Sequence, residues 1–140
     1  MARTIVLGYD GSDGAVLALE QAIDLAKLES ARIVVVYAYE IPAAYGGETG
    51  DYRRALRERA EEQTKKALPR LQESGVEFDV ELIPERPVVG LVHVAKQTGA
   101  SLIVVGTNGE HPIKGVVLGS VAHKLLHVSH VPVLVVPPVE

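Results

Sequence analysis

The fold is decided first by residues 4–26, which read TIVLGYDGSDGAVLALEQAIDLA. The run from Thr4 to Tyr9 is apolar and rich in β-branched residues, which predicts a strand. After it the apolar residues change to helical spacing, and the hydroxyl of Ser12 can cap the first turn of that helix. We expect the inward face of this helix to consist of Val16, Leu19, Ile23 and Ala26. A strand that passes directly into a helix is typical of an α/β domain.

The rest of the chain continues this alternation of strands and helices. Apolar runs predict strands at 32–39, 76–82, 102–105 and 131–136. Helical spacing predicts helices at 52–71, 87–98 and 118–128. Pro69 should kink or end the helix that begins at residue 52, and the mixed charges of that helix are typical of a solvated face. Glycines in the connection at 41–51 predict a mobile loop.

The hydrophobic pattern of each strand predicts its position in the sheet. The first, second and fourth strands are continuously apolar, as strands buried on both faces are. The third alternates apolar and polar residues and the fifth contains Pro132, so both suit an edge. Right-handed crossovers then give a five-stranded parallel sheet of order 3-2-1-4-5 with helices on both faces. In this order the carboxyl ends of strands one and four flank a topological switch point, where open α/β sheets bind ligands.

Composition excludes several other classes of protein. A chain of 140 residues with 47% apolar residues and a net charge of -4 is one globular domain, spanning 1–140. The absence of cysteine excludes disulfides, thiolate zinc sites and cysteine catalysis. No apolar run is long enough for a membrane span, and we expect that the first residues are not a signal peptide. We therefore expect a soluble cytoplasmic domain that binds neither nucleic acid nor membrane.

The spacing Gly106-x2-Gly109-x9-Gly119-Ser120 is the most informative motif. It follows the fourth strand and leads into the last helix, whose start offers free amides and a positive dipole end for a phosphate. Neither the P-loop pattern nor the dinucleotide fingerprint is present in the chain. The alternative interpretation is that these are ordinary turn and cap glycines, which are common where strands meet helices.

At these positions the chain resembles the universal stress proteins of the nucleotide-binding kind. The resemblance covers nearly the whole chain and is carried by Tyr9–Ser12, Leu102–Gly109, Gly119–Ala122 and the terminal strand Pro132–Val136. It implies a Rossmann-like three-layer α/β/α domain that binds ATP, with Mg²⁺, and forms a homodimer. It also implies a binding or signalling module in a stress response rather than a fast enzyme.

The resemblance assigns roles to individual residues. Asp10 matches the acid near the adenine, and the Ala38 region lines the base. Gly106, Gly109, Gly119, Ser120 and Val121 match the contacts to ribose and phosphate. For Asp10 the alternative is a turn aspartate that bonds its own backbone. The complete set of candidate nucleotide-binding residues is Tyr9, Asp10, Gly11, Ser12, Ala38, Gly106, Thr107, Asn108, Gly109, Lys114, Gly119, Ser120, Val121 and Ala122.

The loop after Gly106 departs from the family pattern. Asn108 and Glu110 stand where relatives often carry basic residues, and a carboxylate near a triphosphate is unfavourable without a cation. Lys114 or Mg²⁺ can supply that charge, and the choice between ATP, ADP and AMP stays open. Two other functions also stay open: a slow ATPase or autophosphorylating enzyme, and an interaction module with a non-functional crevice. The chain shows no set of nucleophile, base and acid, so we name no catalytic residue.

Two further features concern metals and partners. His123, His127 and His130 are spaced to share one stripe of the last helix, but no acidic residue is interleaved. Histidines near a helix C-terminus are favoured by its dipole, so we expect no metal site there. The apolar edge strand 131–136 exposes unpaired backbone groups, which predicts a homodimer through this edge.

Overall fold

A computed structural model describes residues 3–41, 50–107 and 118–138 of the chain. They form a parallel five-stranded sheet of order β3-β2-β1-β4-β5, flanked by helices, so the predicted fold class and strand order are confirmed. The elements are β1 (Thr4–Gly8), α1 (Asp13–Glu29), β2 (Arg32–Ala38), α2 (Gly50–Lys65), α3 (Leu68–Ser74), β3 (Phe78–Ile83), α4 (Pro87–Thr98), β4 (Leu102–Gly106), α5 (Ser120–Val128) and β5 (Val133–Val136).

The central strands are buried on both faces of the sheet, which is why they are continuously apolar. In β1, Ile5 and Leu7 pack in the core on the side of α1 and α3, whereas Val6 points into the core on the side of α4 and α5. Leu7 pairs with Val35 of β2 and with Val104 of β4, so β1 lies at the centre of the sheet. No helix among the described residues is long and apolar enough to cross a membrane.

Two helices replace the single one expected at 52–71. α2 ends at Lys65, and α3 begins at Leu68 with Pro69 in its first turn. Proline lacks the amide that would continue the helical ladder, but a first turn does not need that amide. The helix expected to be kinked or ended at Pro69 instead ends at Lys65, with Pro69 in the first turn of the next helix, and the assignment of Leu71 to the same helix is wrong.

The predicted inward residue Val16 and the last residue of the predicted helix 118–128 are exposed. Val16 of α1 is 44% exposed, because the buried face of this helix consists of the alanines Ala15, Ala18 and Ala22 with Leu19, Ile23 and Ala26. Val128 at the end of α5 is 57% exposed. Small side chains let α1 approach the sheet closely, which helical spacing alone does not indicate.

The two edge strands are shorter than predicted, since β3 begins at Phe78 and β5 at Val133. The carbonyl of Pro132 still accepts a hydrogen bond of 3.0 Å from the amide of Ile103. A proline at the entry to an edge strand removes no donor that the ladder needs.

Candidate functional site

The end of β4 meets the start of α1 at the switch point. A Cβ built on Gly106 would lie 2.8 Å from the carbonyl oxygen of Gly14, so the end of β4 lies directly against the first turn of α1. Gly106 therefore makes room for the backbone of a neighbouring helix. The sequence interpretation, in which this glycine makes room for a ligand, is a different physical reason for the same residue.

The turn after β1 is held by its own side chains. The Oδ1 atom of Asp10 accepts a hydrogen bond of 2.9 Å from the amide of Ser12. The Ser12 hydroxyl accepts one of 3.2 Å from the amide of Ala15, which confirms Ser12 as the N-cap of α1. Gly11 between them has a φ of 83°, which favours glycine. Asp10 thus serves as a turn residue, and within the described ranges its Oδ2 atom has no hydrogen-bond partner.

Tyr9 precedes this turn as a buried extension of β1. Its amide donates a hydrogen bond of 2.9 Å to the carbonyl of Val36, and its side chain packs in the core on the side of α1. Burial, and secondarily the charge of Asp10, raises the pKa of the Tyr9 phenol above its usual value. The Tyr9 side chain therefore packs in the core beneath the turn, and its phenol stays neutral at physiological pH.

The start of α5 has no side-chain cap among the described residues. Its N-cap is Gly119, which supplies no side-chain cap, and its first turn contains no acidic residue. The amide of Gly119 donates a hydrogen bond of 2.5 Å to the carbonyl of Thr107, which ties this helix start to the end of β4. No described group accepts from the amides of Ser120, Val121 and Ala122.

The start of α1 differs from the start of α5 both in its cap and in the charge of its first turn. Ser12 caps it, and Asp13 places a carboxylate in its first turn. A capped helix start with its own negative charge is a poor anion site, whereas uncapped amides at the positive end of a helix dipole attract one. Of these two helix starts, the start of α5 is the one without a side-chain cap and without an acidic residue in its first turn.

The remaining predicted residues fall into two groups. Ala38 ends β2, and a Cβ on Gly90 of α4 would lie 3.4 Å from the Cβ of Ala38, in ordinary contact. Ala38 therefore lies at the carboxyl end of the sheet, and its strand β2 pairs with the side of β1 opposite to β4. Asn108, Gly109 and Lys114 lie outside the described residues, as do Glu110, His111 and most of the predicted loop at 41–51.

Sequence reasoning missed Gln63 of α2, which lies over the turn after β1. A Cβ on Gly11 would lie 3.0 Å from the Cδ atom of Gln63, and closer still to its Oε1 atom. This places an amide side chain beside Asp10 and Ser12. No sequence pattern indicates this position, because Gln63 belongs to a helix whose charges are typical of a solvated face.

A second cleft, of about 490 Å³, lies at the ends of β2 and β3. Its lining includes Tyr39 and three arginines of α2, which the sequence assigned to a solvated face. Arg54 lies 3.7 Å from Asp51 and Arg57 lies 3.6 Å from Glu61, so both are opposed by carboxylates of their own helix. This mixture of charges favours no anion, and the crevice between β1, β4 and α5 is the stronger candidate site.

The fold defines a class of protein: a Rossmann-like α/β domain, with the start of a helix near its topological switch point. Over residues 1–137 the chain matches the family model described as the Universal stress protein family. It belongs to the universal stress protein family.

Two curated relatives resemble most of the chain. Universal stress protein MJ0531 of Methanocaldococcus jannaschii is 33% identical over 138 residues, which cover 96% of this chain and 81% of that protein. The universal stress protein in the QAH/OAS sulfhydrylase 3′ region of Thermus aquaticus is 36% identical over 137 residues, which cover 97% of this chain and 99% of that protein.

Three solved structures share the fold. Hypothetical protein MJ0577 superposes with a TM-score of 0.88 at 23% identity, covering 100% of this chain and 99% of that one. A universal stress protein in complex with cAMP gives a TM-score of 0.65 at 28% identity, with 97% of each chain covered. The universal stress protein from Archaeoglobus fulgidus in complex with dAMP gives 0.72 at 25% identity, covering 96% of this chain and 97% of that one.

Proposed function

We propose that this chain binds an adenine nucleotide in the crevice between β1, β4 and α5, and acts as a binding module in the stress response. The observation that carries the proposal is the start of α5, where three first-turn amides have no described acceptor and no acidic residue opposes an anion. A phosphate at this position would accept hydrogen bonds from those amides and would lie at the positive end of the helix dipole.

The base is proposed to lie toward β1 and β2. The Oδ2 atom of Asp10 is the acceptor there for an adenine amino group, since Oδ1 is already used by the amide of Ser12. Ala38 ends the neighbouring strand β2 and would offer a small apolar surface to the base. The cAMP and dAMP of the two solved relatives are adenine nucleotides with a single phosphate, which the amides of α5 suit.

ATP is proposed as a ligand only together with Mg²⁺. The start of a helix carries roughly half an elementary charge, too little to balance a triphosphate. Bound Mg²⁺ would supply the missing positive charge to the phosphate oxygens. The part played by this chain is to hold the phosphate nearest the ribose with the amides of Ser120, Val121 and Ala122, and to orient the base with Asp10.

A valine at position 119 tests the site. Gly119 has φ -70° and ψ 166°, a conformation open to any residue, so the added side chain strains no backbone dihedral. A poorer N-cap lowers stability by about 1 kcal/mol at most. Isothermal titration calorimetry with AMP, ADP and ATP, the last with and without Mg²⁺, should show binding to the wild type and none to Gly119→Val.

Gly50→Val is the matched control, because a Cβ at Gly50 meets nothing within 4 Å and Gly50 lines the other cleft. It should bind nucleotide like the wild type. If Gly119→Val binds AMP as tightly as the wild type, or if Gly50→Val is the variant that loses binding, the nucleotide does not lie at α5. Circular dichroism confirms that each variant is folded.

The proposal also includes a cytoplasmic homodimer. β5 has β4 as its one strand neighbour among the described residues, so its other edge presents backbone donors and acceptors. A second copy of the same edge would satisfy them.

A further inference from the structure

The exposed flank of α5 carries two histidines one helical turn apart. The ring centroids of His123 and His127 lie 4.8 Å from each other, with their planes at 71°. Both residues are exposed, and their i, i+4 spacing on a regular helix holds the two side chains on one face. The two imidazoles are therefore presented to solvent as a pair.

The separation of the rings matches what a shared metal ion requires. A metal–nitrogen bond of about 2.0 Å places a ring centroid about 3.2 Å from the ion, so a tetrahedral angle separates two centroids by about 5 Å. The observed centroid separation of 4.8 Å therefore lets both rings reach one ion once side-chain rotation turns a nitrogen of each ring toward it. Imidazole nitrogens suit Zn²⁺, Ni²⁺ and Cu²⁺, whereas Mg²⁺ and Ca²⁺ prefer oxygen ligands.

We propose that His123 and His127 form a two-imidazole chelate for a divalent transition metal ion, with the remaining coordination positions open to water or to an external ligand. Within the described residues no group of three metal-binding side chains occurs, so the described part of the chain supplies two ligands to this site. His130 does not extend the stripe, because α5 ends at Val128 and Ser129 is already in an extended conformation. The sequence pattern alone favoured a dipole effect, and the ring geometry changes that interpretation.

The site should be weak and exchangeable. Resident zinc sites use three or four protein ligands, and this one supplies two. The affinity for the metal ion comes from chelation, because the helix holds the second imidazole close to an ion that the first has bound. Loss of either histidine should therefore weaken metal binding by about a hundredfold. The metal would lie on the outer face of α5, one to two turns from the amides proposed to hold a nucleotide phosphate.

Isothermal titration calorimetry of the untagged protein with Zn²⁺, and separately with Ni²⁺, tests the proposal. One ion should bind per chain, Mg²⁺ should not compete, and His123→Ala and His127→Ala should each lose the binding. His130→Ala is the matched control and should bind like the wild type. All three positions are exposed, so the variants should fold normally.

Three results would overturn the chelate. The wild type could bind neither ion, or His123→Ala could bind as tightly as the wild type. Alternatively, His130→Ala could lose as much affinity as His123→Ala, which would place the ion in a different set of ligands.

Discussion

Replacing Gly106 by alanine places a methyl group where β4 runs against the start of α1. The new Cβ would lie 2.8 Å from the oxygen of Gly14, 2.9 Å from its carbonyl carbon and 3.2 Å from its Cα. All three are backbone atoms in the first turn of a helix, so none can move away by a change of rotamer. The strand and the helix must therefore separate by a few tenths of an ångström.

The expected loss of stability follows from two opposing effects. Forcing an extra methyl group into a packed contact costs about 1–3 kcal/mol. Replacing a glycine lowers the entropy of the unfolded chain, which stabilises the folded state by about 0.4–1 kcal/mol. Alanine adds no backbone strain at this position, because Gly106 is not among the residues with positive φ. With the middle of both ranges, Gly106→Ala should lower the free energy of unfolding by about 1–2 kcal/mol.

Urea unfolding followed by circular dichroism measures this loss. With a slope of about 2 kcal/mol per molar urea, the midpoint should fall by about 0.5–1 M. Gly50→Ala is the matched control, since its Cβ meets nothing within 4 Å and no loss is expected. The slope should stay unchanged in both variants.

A Gly106→Ala midpoint equal to that of the wild type would refute the reasoning, because it would mean that β4 and α1 are not in backbone contact. If the same variant also lost nucleotide binding at unchanged stability, Gly106 would serve a ligand, as the resemblance to the family implied. Loss of stability with retained binding is the result expected from the structure.

Two further predictions concern the pH dependence and the assembly of the chain. The raised pKa of Tyr9 means that its contribution to stability is complete below about pH 10 and is lost as the pH rises further, because the unfolded phenol ionises first. Wild type should therefore lose more stability than Tyr9→Phe between about pH 8 and about pH 11, and parallel unfolding curves for the two proteins would contradict this. Light scattering should give twice the chain mass of 15.0 kDa if β5 pairs with a second copy, whereas a clean 15.0 kDa species at all concentrations would exclude the dimer.

The sequence determined the architecture because burial on both faces of a strand requires an unbroken apolar run. Such runs are local, and they identified β1, β2 and β4 as the centre of the sheet and β3 and β5 as its edges. The order of the strands then placed the turn of Asp10 and the residues after Gly106 at one switch point, before any contact was known. The cap formed by Ser12 is also local, and the structure confirms it.

Only the tertiary structure decided what these residues touch. Gly106 clears the backbone of Gly14, Gln63 lies over Gly11, and Val16 faces solvent because alanines bring α1 close to the sheet. These are contacts between elements, which helical or strand periodicity does not encode. The difference between the capped start of α1 and the open start of α5, and the distance between His123 and His127, likewise depend on where each helix begins and ends. Hydrophobic patterning thus determined the fold from within each segment, whereas the chemistry of the site depended on packing between segments that lie far apart in the chain.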